Sequence, residues 1–175
     1  MPDTAQTDRY HIGFLKVVEV SGAGFVGGLL VSNRFGKPLE FQCTTPVKAN
    51  RVQELLYGPT LRPFLFAELI GKTLFERLAV KPDLILVSQP ELLDLRRHIK
   101  AIVACTLDQQ TGHALPDEQQ VQLGQRTVRI HPEHLDDVAR LQKAMADVPA
   151  DADLSEPLDR VRDALQETLR SVTAA

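Results

Sequence analysis

Two short, uninterrupted apolar runs constrain the fold of this chain more than any other feature. Residues 84–87 are Leu-Ile-Leu-Val, and residues 101–106 are Ala-Ile-Val-Ala-Cys-Thr. Runs of this kind are typical of central strands that are covered on both faces of a sheet. Between them, Pro90 opens a predicted helix that extends to Lys100. Two buried strands separated by a helix predict β-α-β crossovers.

The chain before these runs predicts an antiparallel meander. Residues 11–20, 25–32 and 38–43 are rich in β-forming side chains. Turn sequences separate them, Ser-Gly-Ala-Gly at 21–24 and Asn-Arg-Phe-Gly at 33–36. A meander followed by parallel β-α-β crossovers predicts a mixed five-stranded sheet in the α/β class.

The rest of the sequence predicts helices, one loop and a marginal strand. Asn50 can cap a short helix, and Thr60 can cap a longer one that is apolar nearly all round and therefore buried. The predicted elements are helices at 51–57, 60–79, 132–147 and from 156 onward, a polar loop at 108–124 and a short edge strand at 126–130.

Composition divides the 175 residues unevenly. The seven Phe and two Tyr residues all precede residue 76, so we expect the main core in the first two thirds. The last third is acidic and rich in Ala. We therefore predict a disordered N-terminus at 1–10, a mixed α/β domain at 11–130 and a C-terminal helical extension at 131–175.

Charge and cysteine content exclude several classes of protein. The chain has 20 Lys and Arg against 23 Asp and Glu, a net charge of −3, which excludes a globally basic nucleic-acid binder. Two Cys residues exclude a disulfide-rich secreted scaffold. No apolar stretch reaches the roughly 18 residues of a membrane span, and the polar first ten residues predict no secretory signal. We expect a cytoplasmic protein.

The element order resembles the ribonuclease H-like fold over residues 11–120. Local sequences add to this resemblance: Gly-Phe-Val-Gly-Gly at 24–28, Asn-Arg-Val-Gln-Glu-Leu at 50–55, and Gly-His at 112–113. The resemblance implies three antiparallel strands, a helix, a fourth strand, a helix and a fifth strand, here followed by the helical extension.

The resemblance also implies two Mg²⁺ ions held by a cluster of carboxylates. Carried over, the carboxylate positions fall near Glu19 on the first strand, on Glu54 in the first helix and near Asp117 after the last strand. The position at the end of the fourth strand falls on Ser88 or Gln89, which carry no carboxylate. The implied two-metal site is therefore predicted to be incomplete, with Glu19 and Glu54 as the remaining candidate metal ligands.

Two further groups of residues are candidate contacts. Arg96, Arg97 and Lys100 form the densest basic cluster and could contact phosphates, although a solvated helix face is the favoured interpretation. Spacings of three and four residues place an apolar stripe on the last helix. We predict that this stripe meets another protein or a second copy of the chain, with docking on its own domain as the open alternative; its members are Leu158, Val161, Leu165 and Leu169.

The sequence thus leads to three hypotheses of function. The first is a non-catalytic accessory or protein-interaction subunit of a larger assembly, with no cofactor. The second is a nuclease of ribonuclease H-like type that depends on Mg²⁺ or Mn²⁺. The third is a small-molecule sensor domain. The candidate acids of the nuclease are Glu19, Glu54 and one of Asp108, Asp117 or Glu118.

Overall fold

The sheet of this protein has seven strands in the order β3-β2-β1-β4-β5-β7-β6. The computed structural model describes residues 9–107, 116–146 and 148–174. The strands are β1 His11–Val20, β2 Gly24–Asn33, β3 Pro38–Cys43, β4 Leu84–Val87, β5 Ile102–Thr106, β6 Gln120–Leu123 and β7 Arg126–Ile130. The predicted mixed α/β class is confirmed, whereas the prediction of five strands is wrong.

The two apolar runs lie in the middle of the sheet. Strand β4 pairs in parallel with β1, from Ile12 opposite Leu84 to Leu15 opposite Val87, and also in parallel with β5. All four residues of β4 are buried. The other pairings, on both sides of this parallel centre, are antiparallel.

The two strands that the predicted five-stranded sheet left out lie beyond β5; β7 has the bounds of the predicted short edge strand at 126–130, and β6 was not predicted. Strand β6 comes from the end of the predicted polar loop, and β7 pairs with both β5 and β6 instead of forming an edge. Only Val121 and Leu123 of β6 are buried, so the segment is too short and too polar for its alternation to stand out in the sequence. Gly124, with a φ of 55°, makes the turn between the two strands.

The helices differ from the prediction mainly in their type. Helix α1 is Arg51–Tyr57, and α2 is a composite of α-helical Leu61–Pro63, π-helical Phe64–Gly71 and α-helical Lys72–Arg77. Pro90–Arg97 is a 3₁₀-helix instead of an α-helix. Because a 3₁₀-helix rises about 2.0 Å per residue, it spans more of the return path between parallel strands than an α-helix of the same length. Helix α3, Asp137–Ala144, is shorter than predicted, and α4 is Glu156–Thr173.

Two cores lie on opposite faces of the sheet. One is formed with α2 and the 3₁₀-helix, and we refer to that side of the sheet as the α2 face. The other is formed with α3, α4 and strands β6 and β7, and this side is the α4 face. Leu165 of α4 packs on Gly28, where an added Cβ would lie 2.9 Å from its Cδ2 atom. The last 45 residues therefore contribute directly to the second core.

Within the described ranges, every helix is too short or too polar to cross a lipid bilayer.

Candidate functional site

Ser88 lies at the end of the fourth strand, where the resemblance implies a metal ligand. The parallel register of β1 and β4 ends at Leu15 opposite Val87, so the next residues on the two strands are neighbours. The Nζ atom of Lys16 donates a hydrogen bond to Oγ of Ser88 at 3.2 Å. The first-strand residue beside Ser88 is therefore a lysine, and Glu19 lies three residues further along β1.

Gln89 is bonded to the backbone of β1. Its Oε1 atom accepts from the Val17 N–H at 2.9 Å, and its Nε2 atom donates to the Val17 carbonyl at 2.9 Å. These bonds extend the pairing of the two strands past the end of β4. Both ends of the amide are engaged in the structure, so Gln89 acts as a clamp on the sheet and does not present a ligand atom.

The structure places the predicted acids on three separate elements. Glu19 is exposed near the end of β1, opposite Phe25 of β2. Glu54 is exposed on α1 and forms an ion pair with Arg51 at 3.2 Å. Asp117 and its neighbour Glu118 are exposed in a 3₁₀ turn. The further candidate Asp108 lies outside the described residues.

The donor set at the end of β4 does not fit a divalent metal ion. Mg²⁺ and Mn²⁺ need several oxygen ligands, usually with carboxylate charge. An ammonium group and a hydroxyl stand there instead, and the ammonium would repel the ion. Among the residues that the structure describes, no three His, Cys, Asp or Glu side chains form a group that could hold a metal.

A large open groove lies at the opposite edge of the sheet, where β4 and β5 begin. Its volume is about 1910 Å³. Its lining combines Asp83 and Ile102 at the strand starts with the 33–36 turn, the 3₁₀-helix, α3 and the segment after α3. These segments are far apart in the sequence and meet only in the folded chain. We call this feature the basic groove, because seven Lys and Arg residues line it against Glu76 and Asp83.

Some of these cations are neutralised by acids of the chain itself. Arg96 lies 2.7 Å from Asp137, whose side chain is fully buried, and Arg140 contacts the same carboxylate at 2.8 Å. Arg97 pairs with Glu133 at 2.8 Å on the surface. Two of the three predicted phosphate contacts, Arg96 and Arg97, thus already have acidic partners.

Four cations of the basic groove have no such partner. Arg34, Lys81, Lys100 and Lys143 form no ion pair with any residue in the described part of the chain. Lys81 donates instead to the backbone carbonyls of Phe75 and Glu76. Lys100 and Lys143 are exposed, and Arg34 lies 5.2 Å above the ring centre of Phe35. The groove therefore has a surplus of positive charge that faces solvent.

The floor of the basic groove is apolar and contains a buried hydroxyl. Ile12, Ile102 and Met145 are buried residues of its lining. The Tyr10 hydroxyl is buried there and has no hydrogen-bond partner among the described residues. Burial raises the pKa of Tyr10 to about 12, with Asp83 adding to the rise and Arg140 opposing it. Tyr10 therefore stays neutral at physiological pH.

The apolar stripe of α4 is covered by the protein's own sheet. Leu158, Val161 and Leu165 are buried, and Leu169 is partly buried against the same core. A stripe in this position is not available to another chain. Of the two interpretations that the sequence left open, the structure has the helix docked on its own domain.

Sequence reasoning missed Lys16 and most of the basic groove. A lysine within the apolar sequence Gly-Phe-Leu-Lys-Val-Val is a signal that was available, because a charged residue inside a central strand needs a reason. The groove left no such signal. Tyr10, Arg34 and Lys143 belong to three distant segments, and nothing in their spacing indicates that they converge.

No protein-family model and no curated protein matches this chain. Among solved structures, human endonuclease V is similar over 99% of this chain and 89% of its own, with a TM-score of 0.50 and 15% identity. A structure of the catalytic domain of human endonuclease V covers 95% of this chain and 89% of its own, with a TM-score of 0.48 and 14% identity. Ciona intestinalis endonuclease V, in complex with a DNA that contains an inosine followed by a ribo-adenosine, covers 95% and 88%, with a TM-score of 0.47 and 9% identity.

These comparisons correct the functional prediction while supporting the fold. At such low identity the likeness to human endonuclease V shows the fold alone, and it supports a distant ribonuclease H-like fold. The prediction of a non-catalytic accessory or protein-interaction subunit is wrong, because a solved structure that shares this fold is that of an endonuclease. The nuclease alternative agrees better with this finding, and a protein partner has no support. The chain thus shares its fold with human endonuclease V, and a serine stands at the end of β4, where the resemblance implies a metal ligand.

Proposed function

We propose that this protein acts on nucleic acid, as a member of the nuclease class, and that it binds the strand through the basic groove. The observation that carries the proposal is the set of unpaired cations in that groove. Arg34, Lys100 and Lys143 have no acidic partner within the described ranges, although the chain as a whole is acidic. A local basic surface on an acidic protein is the electrostatic footprint of a phosphate-binding site.

The shape of the basic groove supports a single strand over a rigid duplex. The groove combines cations for the backbone with an apolar floor and an exposed aromatic ring, Phe35, which is 74% exposed. Proteins that bind single strands pair a positive groove with aromatic surfaces on which bases stack. The unpartnered hydroxyl of Tyr10 adds one hydrogen-bonding group beneath that surface.

The fold is the second support for this proposal. Human endonuclease V, a nuclease by name, shares the fold over almost the whole length of this chain. A fold alone does not establish a reaction. Because the donors at the end of β4 do not fit a metal, we derive no cleavage step from them, and cleavage is measured directly.

Binding is tested with fluorescently labelled single-stranded DNA, single-stranded RNA and duplex DNA. The variant Lys100→Glu/Lys143→Glu reverses two cations of the basic groove. We expect it to bind single strands at least roughly tenfold more weakly at low salt. The slope of log affinity against log salt concentration should decrease by the amount expected for the loss of about two phosphate contacts. The matched control is Arg51→Glu/Arg170→Glu, which makes the same change in net charge at side chains that are 76% and 77% exposed outside the groove.

If single-strand binding weakens equally in the groove variant and in the control, the effect is one of net charge, and the proposal that the basic groove binds the strand is refuted. Cleavage is followed with the same strands in Mg²⁺ or Mn²⁺. Metal-dependent product that falls together with affinity in the groove variant is the result expected of a nuclease. Tight binding without product would restrict the proposal to nucleic-acid binding. The small-molecule sensor stays a prediction, and a ligand-dependent thermal shift in the absence of nucleic acid would favour it.

A further inference from the structure

We infer that Lys16 and Ser88 form a metal-independent binding point for a phosphate group where β4 ends beside the middle of β1. This inference rests on the proposed function and adds a second contact to it, on the other edge of the sheet from the basic groove. The starting observation is the mismatch between the donor set and a metal ion. A lysine and a serine are a poor cation site, but they have the chemistry of an anion site.

The strand register fixes both side chains on one face. Lys16 pairs with Gly28, and Gly28 packs under Leu165 of α4, so this position of β1 lies on the α4 face. Ser88 follows the buried end of β4 and meets Lys16 on that face. Since Gly28 has no side chain, the neighbour of Lys16 on β2 adds no side-chain atoms beside the ammonium, and Leu165 of α4 packs there instead.

A count of protons shows that the pair has several donors left over. The ammonium of Lys16 has three N–H bonds, and one of them is used toward Ser88. The Oγ atom of Ser88 accepts that bond, so its own proton must point elsewhere, and the described residues give it no acceptor. Several N–H and O–H donors that converge beside a positive charge match the oxygens of a phosphate.

The charge of Lys16 is also uncompensated. The side chain is half-buried, and it forms no ion pair with any residue that the structure describes. A partly desolvated cation is costly unless an anion lies near it. A bound phosphate supplies that missing negative charge, whereas a divalent cation would add to the positive charge.

The clamp formed by Gln89 holds the site in place before any ligand binds. Its two hydrogen bonds to Val17 fix the end of β4 against β1, one residue beyond Ser88. The pair therefore needs little reorganisation to bind, and preorganised donors bind an anion more tightly than mobile ones. Leu165 over Gly28 bounds the site on one side, which favours a compact oxyanion over a base or a sugar.

The inference is tested by NMR titration of the amide resonances of Ser88 and Gln89 with inorganic phosphate, in buffer that contains EDTA. We expect both resonances to shift in the wild-type protein, and to shift fully in the Lys100→Glu/Lys143→Glu variant. Lys16→Met should abolish the shifts, and Lys16→Arg should restore part of them because it returns a cation with N–H donors. Lys48→Met, an exposed lysine outside the pair, should leave them unchanged.

Ser88→Asp separates the anion site from a metal site. An added carboxylate would neutralise Lys16 and repel phosphate, so binding in EDTA should be lost. In a metal site the same change would instead raise the affinity for Mn²⁺, which electron paramagnetic resonance detects. If Lys16→Met does not fold, Ser88→Ala removes one donor alone and should weaken phosphate binding severalfold.

Shifts that persist in Lys16→Met, or that appear only when Mg²⁺ is added, would overturn the inference. If the phosphate titration shows no binding at Lys16 and Ser88, the measured affinity of the basic groove for single strands is unaffected. The two proposals can therefore be refuted separately. Loss of strand binding in the groove variant with normal phosphate shifts at Ser88 would confirm both.

Discussion

At the scale of single residues, the protein keeps two polar groups in settings that make opposite contributions to stability. The carboxylate of Glu40 accepts hydrogen bonds from the N–H groups of Ala79 and Val80 at 3.1 and 2.8 Å, where the chain leaves α2. The hydroxyl of Tyr10, in contrast, is buried with no partner among the residues that the structure describes. The Glu40 carboxylate stabilises the folded chain, whereas the buried Tyr10 hydroxyl destabilises it.

The Glu40 carboxylate predicts a loss of stability in acid. Hydrogen bonds, first from Val80, then from Gln42 and Ala79, lower its pKa below the ordinary value of 4.5. Its contribution is therefore present above the unfolded pKa and disappears as the pH falls through the folded one. We expect Glu40→Gln to lower the melting temperature at pH 7, with the difference from wild type shrinking as the pH falls below 4.5 and through the folded pKa. A constant difference across that range would contradict this, and Glu167→Gln on exposed α4 is the control.

The buried hydroxyl of Tyr10 predicts a trade between stability and binding. Removing a buried polar group that has no partner relieves its desolvation cost of about 1–3 kcal/mol. Tyr10→Phe should therefore raise the free energy of unfolding, or leave it unchanged, while weakening the binding of single strands. Calorimetry and the binding titration check the two effects on one variant. A destabilised variant with unchanged affinity would mean that the hydroxyl has a partner and no role in the groove.

At the scale of elements, the docking of α4 on the sheet depends on a glycine. Gly28 lies so close to Leu165 that an added Cβ would be 2.9 to 3.1 Å from three atoms of its side chain. Helix α4 contacts both β1 and β2, the strand pair with the longest register. Small residues on strands allow such close approach. The absence of a side chain in β2 thus sets the distance between this helix and the sheet.

This packing predicts a coupled pair of substitutions. Leu165→Ala should cost about 2–5 kcal/mol of the free energy of unfolding, because it opens a cavity in the core. Gly28→Ala should cost about 1–3 kcal/mol by overpacking. The double variant should cost less than the sum, since the truncated side chain makes room for the new methyl group. Denaturant unfolding measures all three, and Val172→Ala, 70% exposed on the same helix, should change little. If the two losses of unfolding free energy simply add in the double variant, Leu165 does not pack on Gly28.

At the scale of the whole molecule, the last helix is an integral part of the fold. A chain that ends at Val148 would uncover the apolar α4 face, including Phe14, Leu30 and Leu86. We expect such a chain to lose cooperative thermal unfolding and to bind a hydrophobic dye, because a sheet with one bare face cannot offset its conformational entropy. A cooperative transition in the shortened chain would instead support an independent domain at 11–130.

The sequence predicted the parts of the molecule that have local signatures. The apolar runs at 84–87 and 101–106 predicted two central strands, because a strand that is buried on both faces has an unbroken run of apolar residues. Strand β6 was not predicted, since its burial depends on contacts with β7 and α3 and not on its own composition. The strand register was also not predicted. The sequence could not show that Lys16, and not Glu19, lies beside the end of β4, because β1 is apolar on both faces and such a strand does not specify its own register.

The order in which the elements leave the ribosome has a consequence for the folding of this protein during its synthesis. Strands β1 and β2 are made more than a hundred residues before the helix that covers their α4 face. A nascent chain that has already paired these two strands must expose Phe14, Val26 and Leu30 until residue 165 has emerged. An exposed apolar sheet is a substrate for chaperones and a nucleus for aggregation. Yield in the cell should therefore depend on the speed at which the stretch of message between β2 and α4 is translated.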